Sequence, residues 1–270
     1  MRKTVGISQK IKLAWLDAVL NHLVHTTDQK ELRSFVDKHL RKELPGTESR
    51  AKASGIILRI WSGIPSEHIV LRDRAVALLP RISGQERIWL HWGMGALAYP
   101  FFRDLAEVVG RLLALQDDFT TTQAQARMLT AWGDRNTNKE AVQKLITSFL
   151  DWGVLRSPKQ GHFLLAQKMK TGMSDLQLWL LEVLLRASAA DEIEVQRLLR
   201  LPEAFPFALT VRIGDLRKHE GFDIHRQGLD MDMVALRKVK VEQATKPRSK
   251  QKNSAKREIS RAIQPNFFDH

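Results

Sequence analysis

The chain has 270 residues, with 43 Lys and Arg against 30 Asp and Glu, a formal net charge of +13, and no cysteine. The absence of cysteine excludes disulfides, thiolate nucleophiles and cysteine metal ligands, and it fits a reducing cytosol. The longest apolar run, residues 176–185, has ten residues and includes Glu182, and residues 1–12 lack a signal-peptide core. We therefore expect a cytoplasmic protein with no membrane-spanning segment.

The positive charge is not confined to one end of the chain. Residues 240–270 hold eight basic and three acidic residues, which leaves a net +8 for residues 1–239. A charge of this size is typical of proteins that bind nucleic acid, although a well-solvated surface is the simpler alternative. Few apolar residues follow Lys240, so we expect a disordered basic tail at 240–270, with Phe267 and Phe268 as a candidate docking peptide.

Residues 1–117 are predicted to form a helical domain, because apolar residues recur there at helical spacing and no strand pattern is present. Ser8 is the predicted cap of the first helix, and Asp28 and Ser83 are predicted to cap later helices. The nearby Gly93 and Gly95 lie in a helical stretch, where they would permit close helix packing.

Residues 118–171 have the pattern of a winged helix-turn-helix. The run Thr120 to Thr122 offers helix caps, and a first helix is predicted to reach Gly133. A second helix, capped by Thr137 or Asn138, is predicted to end at Gly153. Two short extended runs on either side of residues 158–161 then predict a β-hairpin.

Residues 172–239 are predicted to form a C-terminal unit, in which helices are again followed by a hairpin. The sequence predicts helices at 176–185, 192–199 and 202–219, followed by a hairpin that turns at Gln227 and Gly228. The pattern leaves open whether this unit is a second winged helix. The predicted fold class is thus mainly α, with a helical bundle, one winged helix-turn-helix, this C-terminal unit and the tail.

The second helix of 118–171 suits the major groove of DNA, with the hairpin lying along the phosphates. Its apolar stripe must face the core, which predicts that Lys144, Thr147 and Ser148 point outward. The predicted DNA-binding residues are Arg135, Lys139, Gln143, Lys144, Thr147, Ser148, Arg156 and Lys159. Glu140 and Asp151 count against tight DNA contact on their parts of the face, and base readout is left open.

No residue pattern predicts catalysis, a cofactor or a metal site. His22 and His25 lie three residues apart on a helix, but no third ligand has a fixed spacing nearby. No phosphate-binding glycine loop or nucleophile motif is present, so we expect a non-enzymatic protein.

The order of segments resembles the BrxA family of the bacterial BREX phage-defence systems over about residues 47–170. The resemblance rests on soft motifs: residues 49–53 leading into 56–61, Leu90-His91-Trp92, residues 99–104, Trp132, and residues 151–155 at the end of the second helix. Residues 1–46 and the tail have no counterpart. The resemblance implies a small helical DNA-binding accessory protein working beside other defence-system proteins, and it supplies no catalytic residue.

The sequence therefore favours a DNA-binding accessory protein of phage defence, with double-stranded DNA as its partner. A transcriptional regulator that uses the same winged helix is one alternative. An assembly scaffold that binds a protein partner is another, since winged helices also serve in protein interactions. An RNA target stays open, although the aromatic, glycine-rich strands of common RNA readers are missing.

Overall fold

The computed structural model describes residues 5–188, 190–228 and 231–237. Over these ranges the chain forms eleven α-helices, six strands and four short 3₁₀ turns. The prediction of a mainly helical fold is confirmed, and the strands are confined to two three-stranded sheets. The predicted tail at 240–270, with Phe267 and Phe268, lies outside the described residues.

Six helices precede the first strand, as the sequence predicts for residues 1–117. They are α1 (Leu13–Leu23), α2 (Gln29–Leu40), α3 (Thr47–Trp61), α4 (Ile69–Leu78), α5 (Arg87–Ala98) and α6 (Pro100–Leu115). The remaining elements are β1 (Phe119–Thr120), α7 (Thr121–Trp132), α8 (Asn136–Asp151), β2 (Leu155–Lys159), β3 (His162–Leu165), α9 (Ser174–Ala187), β4 (Glu192–Glu194), α10 (Val195–Leu198), α11 (Ile213–Lys218), β5 (Phe222–Gln227) and β6 (Met231–Leu236).

Helix α5 lies at the centre of the helical bundle. Almost all of its residues are buried, whereas the amphipathic α2 buries only one face. A helix that is apolar on all sides has to be covered on all sides. Helices α1, α3, α6 and α9 provide that cover.

Gly93 lets α9 approach α5 closely. A Cβ atom added at Gly93 would lie 2.8 Å from the ring of Trp179 on α9. Real Cβ atoms do not tolerate such a distance, so only glycine fits here, and the predicted role of Gly93 in helix packing is confirmed. A Cβ atom added at Gly95 would lie 3.4 Å from the nearest atom, on Phe102, so glycine is less strictly required at this position.

The elements from β1 to β3 form the first of two similar units. In chain order, helices α7 and α8 follow β1 and precede the antiparallel hairpin of β2 and β3. Strand β1 pairs with β3, so the sheet order is β1-β3-β2. The hairpin predicted around residues 158–161 is therefore present. Gly161, at its turn, has φ = 78°, a left-handed conformation that glycine adopts without strain.

The second unit runs from α9 to β6, and its elements from β4 onward repeat that order. Strand β4, the short helices α10 and α11, and the hairpin of β5 and β6 follow one another, and the sheet order is β4-β6-β5. The hairpin predicted around Gln227 and Gly228 is present. The two units and the bundle share one continuous hydrophobic core, and the described residues belong to one compact unit.

Three predicted helices begin or run differently in the structure. The first starts at Leu13 instead of just after Ser8, because Ile7 and Ile11 are buried in an extended segment. The helix predicted at 192–199 is divided: residues 192–194 form β4, which pairs with β6, and only residues 195–198 are helical.

The helix predicted at 202–219 is also wrong over its first half. A 3₁₀ turn covers Pro202–Ala204, and α11 begins only at Ile213. Pro206 lacks an amide hydrogen, so it cannot donate the backbone bond that would continue this turn as a helix. Residues 206–208 instead bond to Met169, whose amide donates to the Pro206 carbonyl at 2.8 Å.

The first testable prediction concerns His91, a fully buried residue of α5. Its Nε2 lies 2.9 Å from Asp17 Oδ1. Burial lowers the pKa of His91 below its usual 6.5, and this outweighs the opposing effect of Asp17. As pH falls below about 6.5, the unfolded chain protonates His91 before the folded chain does. The stability that neutral His91 contributes is therefore present above pH 6.5 and is lost as pH falls through the lowered pKa of the folded state.

We expect the thermal midpoint to fall between pH 7 and pH 5, and to fall less steeply in a His91→Gln variant. His68 and His219 also have a lowered pKa because they are partly buried, so some of the slope will remain. His25, which is exposed after α1, supplies the control variant His25→Gln. Thermal melts at four pH values measure the slopes; identical slopes for wild type and His91→Gln would show that His91 is not held neutral.

Candidate nucleic-acid interface

Helix α7 begins with the cap that the sequence predicts. Thr120 Oγ1 accepts a hydrogen bond from the Gln123 amide at 3.2 Å, and Gln123 Oε1 accepts one from the Thr120 amide at 2.7 Å. The two bonds satisfy amides that the first helical turn leaves unpaired. The helix ends at Trp132, and Gly133 follows it with φ = 86°.

The turn between α7 and α8 is held by Asn138. This side chain is buried, and its Nδ2 donates to the carbonyl oxygens of Trp132 at 2.9 Å and Gly133 at 2.8 Å. The prediction that Thr137 or Asn138 caps α8 is therefore wrong. Arg135 occupies the cap position without a side-chain hydrogen bond and is exposed.

Helix α8 ends where the sequence predicts, at a glycine in a left-handed conformation. Gly153 has φ = 68°, and the amide of Val154 donates to the Phe149 carbonyl at 2.9 Å. The amide of Gly153 donates to the Leu150 carbonyl at 3.1 Å. This pair of bonds closes the helix and leads the chain directly into β2.

The outer face of α8 is a line of polar side chains that we call the outer stripe: Asn136, Glu140, Gln143 and Thr147. The first three are exposed and Thr147 is half-buried. With 3.6 residues per turn, these positions follow one line along the helix, flanked by Lys139 on one side and Lys144 on the other. Thr147 Oγ1 donates to the Gln143 carbonyl at 2.8 Å.

The N-terminal segment of the chain covers the other end of α8. Residues 10–13, which we call the clasp, hydrogen-bond to three residues there. The Ile11 amide donates to Ser148 Oγ, the Leu13 amide donates to Asp151 Oδ1, and Trp152 Nε1 donates to the Ile11 carbonyl, each at 3.0 Å. The carboxylate of Asp151 also pairs with Lys10 at 3.0 Å, and it lies at the positive N-terminus of α1.

Ser148 is therefore not a DNA-binding residue, contrary to the sequence-based prediction. Its side chain is fully buried, accepts from Ile11 and donates to the Lys144 carbonyl at 2.9 Å. Ser148 lies at the boundary between the apolar stripe and the outer stripe, where helical periodicity alone does not decide exposure. The partner that buries it lies 137 residues away in the chain.

The hairpin exposes the cations predicted on it. In β2 only Leu155 is buried, and the exposed residues include Arg156 and Lys159. Pro158 is tolerated because β2 is an edge strand of the sheet. Two further exposed lysines, Lys168 and Lys170, follow β3 and line a cleft of about 730 Å³ beside Trp152 and Gly153.

The pairing of charges distinguishes residues 118–171 from the helical bundle. In residues 5–117, 11 of the 16 Lys and Arg side chains lie within 4.0 Å of a carboxylate. In residues 118–171, eight Lys and Arg face only four Asp and Glu, and within the described residues Lys139 alone has such a partner, Asp134 at 2.7 Å. The excess positive charge of the described chain is thus least neutralised here.

The remaining predicted site residues lie at the surface of this first unit. Arg135, Lys139, Gln143, Lys144 and Thr147 lie at the start or on the outer side of α8, and Arg156 and Lys159 lie on the hairpin. The sequence-based prediction did not include Arg127 of α7 and Asn136 of α8 among the site residues, and both are exposed. Their signal was the helical spacing of polar residues, which also identifies Glu140.

Neither metal-ligand geometry in the described residues nor similarity to known proteins assigns a function to this chain. Over residues 5–188, 190–228 and 231–237, no group of three His, Cys, Asp or Glu side chains could hold a metal ion. In that part of the chain, no helix is long and apolar enough to cross a membrane. No family model, no curated protein and no solved structure matches this chain. The resemblance to BrxA stays a prediction.

The second testable prediction separates Ser148 from its neighbour Thr147. Replacing Ser148 with alanine leaves the buried Ile11 amide without an acceptor, which should lower the free energy of unfolding by about 1–3 kcal/mol. Thr147→Ala removes only a bond to the carbonyl of its own helix and should cost less than about 0.5 kcal/mol. Urea denaturation measures both. A loss for Thr147→Ala as large as that for Ser148→Ala would contradict the clasp as a stabilising contact.

Proposed function

We propose that this chain is a non-enzymatic protein that binds double-stranded DNA, and that residues 118–171 form the winged helix that contacts it. The order of strand, two helices and hairpin supports the winged-helix proposal, as does a sheet in which the first strand pairs with the third. The same order from β4 to β6 supports a second winged helix.

The observation that carries the proposal is the set of exposed cations of 118–171 that have no carboxylate partner among the described residues. Unpaired, hydrated cations release bound counterions from DNA when they approach its phosphates, and this release is the main source of non-specific affinity. The bundle has twice as many lysines and arginines, but 11 of its 16 are neutralised by carboxylates within 4.0 Å. Phosphates are therefore attracted to the first unit.

The dimensions of α8 fit the same proposal. An α-helix with its side chains is about 10–12 Å across, and the major groove of B-DNA is about 12 Å wide. The clasp covers the C-terminal end of α8, so the N-terminal half and the outer stripe remain free for the groove. The N-terminal residues of a recognition helix are the ones that usually reach base edges.

The second unit is a poor candidate for DNA contact. Residues 172–237 hold eleven Asp and Glu against eight Lys and Arg, the opposite balance to that of the first unit. We propose that this unit packs against the bundle and binds protein partners. On the basis of the resemblance to BrxA, we propose that these partners are other proteins of a phage-defence system. We also propose that the protein acts in the cytoplasm.

A transcriptional regulator is the second candidate function, and the outer stripe favours it. A helix that only held phosphates would carry cations at its centre, whereas this stripe carries amides, a hydroxyl and a carboxylate. A protein-binding scaffold whose positive charge is incidental is a third candidate function. If the chain is such a scaffold, it should bind no DNA.

The third testable prediction reverses the charge at three exposed positions, Lys144, Arg156 and Lys159. Changing all three to Glu should leave the thermal midpoint nearly unchanged, since exposed substitutions rarely cost more than about 0.5 kcal/mol each. The affinity for random duplex DNA at 50 mM salt should fall by roughly two orders of magnitude. The slope of log affinity against log salt should become shallower by about three phosphate contacts. Fluorescence anisotropy titrations between 50 and 200 mM salt measure both.

A matched triple change at Lys30, Arg33 and Lys38 of α2 is the control. These side chains are also exposed and have no carboxylate within 4.0 Å among the described residues. The control should bind DNA with an affinity within a few-fold of wild type. If it loses binding while the first triple keeps it, the DNA site is on the helical bundle. If wild type binds no duplex at 50 mM salt, the scaffold is the better function.

A further inference from the structure

Glu140 stands at the centre of the surface that the proposed function turns toward DNA. The residue is exposed, and within the described ranges its carboxylate has no hydrogen bond and no ion pair. A carboxylate that faces phosphates without a partner lowers affinity for every DNA sequence. A hydrogen bond donated by a base would compensate for this repulsion.

The neighbours of Glu140 are suited to reading bases. Asn136 and Gln143 lie one turn before and one turn after Glu140, and their amide groups are likewise exposed and unbonded among the described residues. From Asn136 to Thr147 the helix rises about 16 Å, which corresponds to four or five base pairs at roughly 3.4 Å each. Lys139 and Lys144 flank the stripe, where the phosphates on either side of a groove would lie.

The chemistry of each polar side chain selects a different base edge. In the major groove only cytosine and adenine present an amino group, and a glutamate accepts best from cytosine N4 because it cannot donate to adenine N7. Glutamine and asparagine donate to adenine N7 and accept from its N6 amino group. Guanine N7 and O6 and thymine O4 are all acceptors, and they repel a carboxylate.

We propose that Glu140 is a specificity-determining residue that accepts a hydrogen bond from cytosine N4, with Gln143 reading an adjacent adenine. This inference rests on the proposed function. At a matching site the amino group offsets the repulsion between the carboxylate and the phosphates. At other sites the repulsion remains, so Glu140 weakens non-specific binding and leaves the matching sequence as the preferred one.

The test begins with a selection of bound duplexes from a random library by the full-length protein. Wild type should enrich a short motif that contains a cytosine, and replacing that cytosine pair should weaken binding roughly 10-fold. Glu140→Gln should bind random DNA more tightly than wild type and should prefer adenine at the cytosine position, because an amide both donates and accepts. Gln143→Ala should lose the preference at the neighbouring base only.

Glu67→Gln is the control, because it makes the same change of charge at an exposed position that, like Glu140, has no ion pair among the described residues. It should keep the wild-type motif and the wild-type affinity. The inference is overturned if Glu140→Gln tightens binding to all duplexes equally and keeps the wild-type base preference, or if wild type binds DNA but selects no motif. An absence of DNA binding by wild type at 50 mM salt would overturn the proposed function as well, so the two failures are distinguishable.

Discussion

Trp92 is the side chain through which the bundle and both repeated units meet. Its ring lies 5.0 Å from that of Phe102 on α6, 4.8 Å from Phe149 on α8 and 5.6 Å from Phe205 in the second unit, measured between centroids. Its Nε1 donates to the carbonyl of Glu203 at 2.9 Å. Aromatic contacts of this kind add to the large apolar area that each ring buries, and the hydrogen bond fixes how the indole is turned. The position of α8 is therefore set by the core and not by a linker.

The clasp, near the start of the chain, also helps to set the position of α8. It joins the segment that leads into α1 to the C-terminal end of α8 by hydrogen bonds from both backbone and side chains. Because Asp151 both accepts from Leu13 and pairs with Lys10, its negative charge is compensated within the protein and repels phosphates less. Of the two carboxylates that count against DNA contact in the sequence, Asp151 is thus paired within the protein, whereas Glu140 has no such partner among the described residues.

Local signals in the sequence predicted much of this fold. The helix cap within the threonine run at Thr120, the capping box at Ser83, the glycine end at Gly153 and the hairpin beside Gly161 all depend on residues a few positions apart, and each is present. These features are predictable because their hydrogen bonds form within one turn of chain.

The errors involve partners that are distant in sequence. Residues 192–194 form a strand because β6 pairs with them about 40 residues later, and residues 206–208 are extended because Met169 bonds to them. Ser148 is buried by a segment that starts the described chain. Periodicity predicts which face of an element is apolar, but it does not predict which neighbour covers the edges of that face. For the candidate site, the sequence predicted the exposed cations correctly and missed the cover over one end of α8.

The net charge of +13 is compatible with either a solvated surface or a polyanion site, and the pairing of charges differs between two parts of the chain. Where a lysine or arginine has a carboxylate within 4.0 Å, its field is largely cancelled beyond about one Debye length, about 8–10 Å at physiological salt. Residues 5–117 are of that kind and residues 118–171 are not. Unpaired cations alone would hold any DNA sequence about equally well. Since specificity is a difference between two affinities, a preference for one sequence requires a group that weakens binding to the others. An unpaired carboxylate among such cations, as at Glu140, is a group of that kind.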